Sequence, residues 1–303
     1  MTARFTKAYI EIGSACNIRC GFCPELRRPK DLMGRELFRR VAAEAAPLVE
    51  HAFLHLMGEP LAHPLFAEFV GICAEAALPA HVATNGTLLS EDKVEALLHP
   101  VVRQVSFSLH SLEAGAPGEE TEHWRRIAAF CRRAMAERPD LFINLRLWNL
   151  SSPGGSPDAK HLERIRSAFG ADMSGPVDVR SRKGRRIKGR LCLHLDTRFE
   201  WPSLSAPTVS ERGTCRGLGD QFGVLCDGTV VPCCLDSEGS VPLGNVARSP
   251  LADILSGSRA RAMRAGFAEG RREEELCRRC SYSSRFQVKG PARLGLLDAG
   301  LRR

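Results

Sequence analysis

From about residue 9 to residue 185 the chain alternates strand-like and helix-like stretches, and this alternation constrains the fold more than any other feature. Residues 9–12, Tyr-Ile-Glu-Ile, read as a first strand. Helical spacing follows over 35–50, a buried strand over 52–57, a helix over 65–77 and a strand over 79–84. Ser90 and the acids behind it mark the start of a helix over 90–98. Strands at 101–109 and 141–148 alternate with helices at 121–137 and 158–169, and 176–179 completes a sixth unit. Such a pattern implies parallel strands joined by helical crossovers. Six units are too few for a closed eight-unit barrel. The expected fold is therefore an α/β partial (β/α)6 TIM-like barrel. Composition shifts after residue 185, so the reading is a core over 1–190, a linker over 191–212, a small second domain over 213–290 and a tail over 291–303.

The loop after the first strand carries Cys16, Cys20 and Cys23, spaced C-x3-C-x2-C. Three thiolates can hold three irons of a four-iron, four-sulfur cubane, whose complete cysteine ligation takes four. The fourth iron is then free for a non-protein ligand, as an open position is kept in catalytic metal sites. Two other readings stand beside this one. Zinc would take a fourth protein ligand, usually from a second knuckle. A disulfide would leave one cysteine over and call for an oxidising compartment.

Composition narrows the setting. No stretch approaches the ~20 apolar residues of a membrane span, and no apolar segment follows the charged residues 1–7. The expectation is a cytoplasmic protein with no membrane partner. Twelve cysteines there argue for metal or redox chemistry. The net charge of +8 favours anionic partners. Its densest run is 180–190, with Arg180, Arg182, Lys183, Arg185, Arg186, Lys188 and Arg190. This run reads as a solvated loop or as a phosphate-binding surface, and it lacks the interleaved aromatics of a base-stacking platform.

The cysteine run, together with Gly58-Glu59-Pro60 after the second strand, resembles the radical S-adenosylmethionine (radical SAM) superfamily over about residues 5–185. The family's landmark there is Gly-Gly-Glu-Pro, and Met57 replaces its first glycine. The resemblance implies that S-adenosylmethionine chelates the open iron and is cleaved to a 5′-deoxyadenosyl radical. It places Phe22 near the adenine and Glu59, flanked by Gly58 and Pro60, at the methionyl ammonium. Thr84 and Asn85, and then Ser106, Ser108 and His110, resemble segments that line the cofactor pocket. Ser106, Ser108 and His110 share one strand face, as do Asn144, Arg146 and Trp148. Arg146 suits a carboxylate and is grouped with the cofactor-binding residues. An external electron donor such as flavodoxin or ferredoxin is also implied.

Cys215, Cys233, Cys277 and Cys280 read as a second site that resembles the SPASM or shorter twitch type of auxiliary-cluster domain. No cysteines follow Cys280, so one auxiliary [4Fe-4S] cluster is expected, making two clusters in all. Four thiolates would close it. Cys226-Asp-Gly-Thr229 signals a hairpin that brings Cys215 and Cys233 together. Cys234, next to Cys233, is the alternative ligand. Cys73, Cys131, Cys192 and Cys226 read as structural thiols. The functional expectation is a radical SAM oxidoreductase acting on a small molecule or peptide. Its rivals are a radical SAM enzyme modifying tRNA or rRNA, and a non-catalytic iron–sulfur protein.

Overall fold

The computed structural model describes residues 5–114, 119–173, 175 and 178–287. The first part runs β1 (Phe5–Ile10), α1 (Arg35–Ala45), β2 (Val49–Phe53), α2 (Phe66–Glu75), β3 (Ala80–Thr84), α3 (Glu91–Leu98), β4 (Val102–Ser108), α4 (Glu119–Glu137), β5 (Phe142–Leu150), α5 (Ala159–Phe169), β6 (Gly184–Lys188) and β7 (Leu191–Thr197). Strands β1, β2, β3, β4, β5 and β7 pair in parallel in that order. This is the expected partial barrel of six parallel strands.

Alternation along each strand decides what lies inside it. On β5, Ile143, Leu145 and Leu147 are buried in the core. The residues between them, Asn144, Arg146 and Trp148, line the lumen. On β7, Leu191, Leu193 and Leu195 do the same for Cys192, His194 and Asp196. One face of every such strand thus carries the apolar burial, at roughly 1.5–3 kcal/mol for each large side chain, and the other carries chemistry. The outer layer is closed by the helices. Phe38 of α1 stacks on Phe69 of α2, with ring centroids 4.1 Å apart and planes 2° from parallel. Asp158 caps α5 by accepting from the Lys160 amide, and Gly170 ends it in the left-handed region. Ser90 stands at the cap position of α3, but its hydroxyl donates to Asp92 instead of accepting from the helix backbone.

The sixth parallel strand is not where the sequence puts it. Pro176 and Val177, in the strand expected at 176–179, lie outside the described residues, and Val179 sits in a turn. The strand is Leu191–Thr197, which the sequence reading assigns to the linker. The reason is a hairpin: β6 runs antiparallel to β7, so the chain doubles back before adding its last parallel strand. Much of the basic run 180–190 is therefore an edge strand and not a loop. Charged side chains on an edge discourage strand addition by another chain. The expected tail at 291–303 lies outside the described residues.

The second part contains β8 (Gln221–Val224), β9 (Thr229–Val231), β10 (Gly244–Asn245), α6 (Leu251–Leu255), α7 (Ser258–Ala268), α8 (Glu275–Arg278) and α9 (Ser284–Gln287). The hairpin signalled by Asp227-Gly228 joins β8 to β9, with Gly228 at φ +87°. β8 pairs in parallel with β1, so the second domain extends the barrel's own sheet. The seam is held by Glu11, fully buried just past β1. Its carboxylate accepts from Arg28 Nη2 at 2.6 and 2.8 Å, from the Met57 amide at 3.2 Å and from the Cys226 amide at 3.3 Å. Arg28 Nε donates in turn to the Ser237 carbonyl at 2.6 Å. Removing one partner of a buried ion pair leaves an uncompensated charge. Glu11→Gln is expected to destabilise the protein by about 3–5 kcal/mol, read as a lower denaturation midpoint under anaerobic conditions. An unchanged midpoint would show that the pair is dispensable.

Candidate active site

The loop from Gly13 to Leu32 leaves the C-terminal end of β1 and returns to it through a bridge between those two residues. Cys16, Cys20 and Cys23 project from this loop into the lumen. The Cys23 amide donates to the Cys20 carbonyl at 3.1 Å. The Cys20 thiol donates to the Cys23 sulfur and holds Cys23 below the ordinary thiol range. Cys16 Sγ accepts from Asn85 Nδ2 at 3.8 Å. Asn85 Nδ2 also donates to Asn17 Oδ1 at 3.0 Å, and Asn17 Nδ2 donates to Thr87 Oγ1 at 2.8 Å. The end of β3 and the cysteine loop are stitched together by these amides.

Glu59 is buried beside them. Oε1 accepts from Thr84 Oγ1 at 2.6 Å and from the Leu61 amide at 3.0 Å, and Oε2 from the Asn85 amide at 2.7 Å. Burial pushes its pKa above the ordinary carboxylate value despite these three donors. A carboxylate has about four acceptor sites, so room remains for one more donor. Gly58 and Pro60 serve the backbone around it. Gly58 sits at φ +74°, and a Cβ there would lie 2.3 Å from the Gly13 carbonyl oxygen and 2.8 Å from that of Ala15. Pro60 opens a short 3-10 helix capped by the Glu59 side chain. Both residues therefore set the position of Glu59 against the cysteine loop.

Across the lumen, Phe22 meets His110 edge to face, with centroids 4.3 Å apart. Trp201 Nε1 donates to the Phe22 carbonyl at 3.2 Å. Ser106 and Ser108 line the cavity from β4, and His110 follows them in a 3-10 turn. Gln104 donates to Ser106 Oγ at 3.1 Å, and His110 Nδ1 lies 3.3 Å from the Arg146 carbonyl. Burial and the nearby Arg146 pull His110 down to about 3. The same two causes pull His55 to about 3 and His194 to about 4, so all three rings are neutral at ordinary pH.

The C-terminal cysteines gather at the far wall. Cys215 Sγ accepts from the Gly217 amide at 3.4 Å. Gly217 approaches so near that a Cβ on it would lie 3.8 Å from Cys215 Sγ and 3.7 Å from Cys233 Cβ. Cys277 is on α8, and the Cys280 amide donates to its carbonyl at 3.3 Å. The buried Arg272 reaches the carbonyls of Cys277 and Cys280 through Nη1 at 3.3 and 3.4 Å. Burial raises the thiols of Cys215, Cys233 and Cys277, the last to about 12, and neighbouring cysteines raise them further. As they stand these groups are therefore thiols, and ionising them together would take a cationic group among them. Cys234 faces a different partner: it is paired with Tyr9, and burial raises it to about 11. All twelve cysteines are free. Among the described residues, no three His, Cys, Asp or Glu side chains converge on a single metal ion, whereas a cubane takes its thiolates at separate corners.

One cavity of about 1670 Å³ is lined by both sets, by Glu59 and by the polar faces of β4, β5 and β7. Tyr9, His55, His194 and Tyr282 line it too. Sequence reading did not single these out, though period-two alternation on the strands marks Tyr9 and His194. Cys192, expected to be buried, is half-buried and lines the cavity.

Residues 10–135 match the radical SAM superfamily, and residues 215–281 match SPASM, an iron–sulfur cluster-binding domain. Residues 10–135 thus form a radical SAM domain and residues 215–281 a SPASM domain. A four-iron, four-sulfur cluster and S-adenosylmethionine are therefore its cofactors. It is 32% identical over 108 residues to the tungsten-containing aldehyde ferredoxin oxidoreductase cofactor-modifying protein of Pyrococcus furiosus, a match covering 34% of this chain and only 30% of that protein. It is 23% identical over 294 residues to the S-adenosyl-L-methionine-dependent 2-deoxy-scyllo-inosamine dehydrogenase of Niallia circulans, covering 94% of this chain and 96% of that one. The fold superposes on BtrN in complex with AdoMet and 2-DOIA with a TM-score of 0.60 at 19% identity, over 93% of this chain and 94% of that one.

Gly58→Ala tests whether the glycine is there for the backbone. Strain at a positive φ and the clash with two carbonyls should together cost about 2–3 kcal/mol, seen as a lower denaturation midpoint, while Gly21→Ala, with open space around its Cβ, should leave the midpoint in place.

Proposed function

We propose that this protein is a radical SAM oxidoreductase acting on a small molecule or peptide, with one auxiliary cluster beside its radical-generating site. The reading rests on the single cavity that reaches both cysteine sets. Cys16, Cys20 and Cys23 would hold the first cluster and leave one iron to S-adenosylmethionine. When bound, the pair supplies a 5′-deoxyadenosyl radical that takes hydrogen from a substrate C–H bond. Glu59 would accept from the methionyl ammonium through its remaining acceptor site. Thr84 and Asn85 fix that carboxylate, while Phe22, Ser106, Ser108 and His110 offer the cofactor a mixed apolar and hydrogen-bonding wall.

Cys215, Cys233, Cys277 and Cys280 would hold the auxiliary cluster. Cys234 is hydrogen-bonded to Tyr9, whereas Cys233 is crowded by Cys234, Cys215 and Cys277, which favours Cys233 as the ligand. With four thiolates the cluster would keep no open iron, so electron acceptance suits it better than substrate coordination. The net reaction would be an oxidation such as dehydrogenation. Free cysteines throughout suit a reducing, cytoplasmic setting, and no described helix is long and apolar enough to cross a membrane. A flavodoxin or ferredoxin would deliver the electron. An RNA substrate has less support, because Lys183 and Arg185 of the basic run are engaged within the protein, on Asp196 and on the Met173 carbonyl.

Anaerobic reconstitution tests the reading. About eight irons per chain are expected, with dithionite-driven release of 5′-deoxyadenosine. Replacing Cys16, Cys20 and Cys23 together by alanine should leave about four irons and abolish the release. Continued release from that variant would refute the assignment. Glu59→Gln should keep both clusters and weaken S-adenosylmethionine binding by about 1–2 kcal/mol, as a charge-assisted hydrogen bond becomes a neutral one.

A further inference from the structure

Arg146 is the residue of the lumen whose chemistry the proposed function leaves unused. It projects from the middle of β5 into the cavity. Its guanidinium carbon lies 3.5 Å from the centroid of the Trp148 ring. Trp148 is itself fixed, because its Nε1 donates to His194 Nδ1 at 2.8 Å. The guanidinium is thus laid flat on a ring that cannot turn away. Its Nε is fully buried and has no hydrogen-bond partner. A buried donor of this kind costs free energy unless something comes to meet it.

Among the described residues, no side chain around Arg146 supplies the missing anion. Asp196 is the carboxylate of this wall, and it is already taken. Its Oδ2 accepts from Lys183 Nζ at 2.5 Å, and its Oδ1 accepts from Arg285 Nη1 at 3.0 Å and from the Thr197 amide at 2.8 Å. The other groups facing the guanidinium are Tyr9, Tyr282 and Cys234, together with the rings of His55, His110 and His194. Burial pulls Arg146 itself down only to about 10, so it carries its charge at neutral pH. The result is a stacked cation with no carboxylate of its own among the described residues. A guanidinium held in this way presents a fork that matches the two oxygens of a carboxylate or phosphate.

We infer that Arg146 is the receptor for an oxyanion on the substrate, and that the substrate therefore carries a carboxylate or a phosphate. The sequence expectation groups Arg146 with the cofactor. Its guanidinium lies among Tyr9, Tyr282 and Cys234, beside the SPASM cysteines, while its backbone carbonyl meets His110. Anchoring the anion there would orient the rest of the molecule between the two cysteine sets. This inference rests on the reading of the lumen as a substrate site.

The test uses the anaerobically reconstituted holoenzyme in equilibrium dialysis against radiolabelled succinate and, separately, radiolabelled inorganic phosphate. Wild type should retain one or both, and the one held more tightly identifies the oxyanion as carboxylate or phosphate. Arg146→Gln should weaken that retention at least tenfold while S-adenosylmethionine affinity stays unchanged. Arg146→Lys, which keeps the charge and loses the fork, should fall between them, and it carries the test if the glutamine variant does not fold. Wild-type retention by Arg146→Gln, or by Arg146→Lys where it must stand in, would overturn the inference. So would failure of wild type to retain either probe, or a parallel loss of S-adenosylmethionine binding, which would return Arg146 to the cofactor. Dithionite-driven 5′-deoxyadenosine release, measured on the same wild-type sample, separates the two readings: its absence would sink the proposed function and leave the oxyanion site standing.

Discussion

Everything in this structure that concerns chemistry hangs on one buried carboxylate. Glu11 sits where β1 ends, and its two oxygens are shared among Arg28 of the cysteine loop, the amide of Met57 ahead of the Gly-Glu-Pro turn, and the amide of Cys226 in the second domain. A bare carboxylate in that position would be prohibitively costly. The pairing makes it tolerable only when all three segments arrive together. One group thereby ties together the loop that bears the first cysteines, the turn that bears Glu59 and the hairpin that leads to the second set. Fully satisfied polar junctions of this kind rigidify what they join.

The lumen follows from the pleat. Each parallel strand sends alternate residues to the helices and to the interior, so apolar burial and reactive chemistry are written on the same segment without competing. β5 and β7 show this best, with leucines and an isoleucine on one side and Asn144, Arg146, Trp148, Cys192, His194 and Asp196 on the other. The lumen is then polar, with several cationic side chains along its lining. Its histidines are neutral, Asp196 is doubly paired, and Arg146 stands as a cation without a carboxylate partner among the described residues.

Much of this was legible in the sequence, for reasons that differ by residue. The cysteine spacings and Gly58-Glu59-Pro60 are local, and a local pattern survives being read in one dimension. The six-strand alternation is equally local. The sixth strand was misplaced because the β6–β7 hairpin breaks the alternation, and a basic strand at a sheet edge has the composition of a loop. Glu11 was quoted as part of a strand, yet its role was invisible: its partners Arg28, Met57 and Cys226 lie 17, 46 and 215 positions away. Likewise Gly58 and Pro60 were recognisable by their neighbours, but their task of holding Glu59 against Gly13 and Ala15 depends on a backbone approach that no spacing reveals.

The parallel pairing of β8 with β1 has a consequence for how the protein is made. The first strand of the chain cannot complete its second edge until Gln221–Val224 exist. On a ribosome that emits residues one after another, the N-terminal strand and the loop that follows it wait, half-paired, through the synthesis of some two hundred residues. Contacts separated by that much chain close late, because the entropy of the intervening loop must be overcome first. Until then the strand that leads into Cys16, Cys20 and Cys23 has one edge unpaired. The barrel sheet and the hairpin that extends it are thus completed by one late pairing.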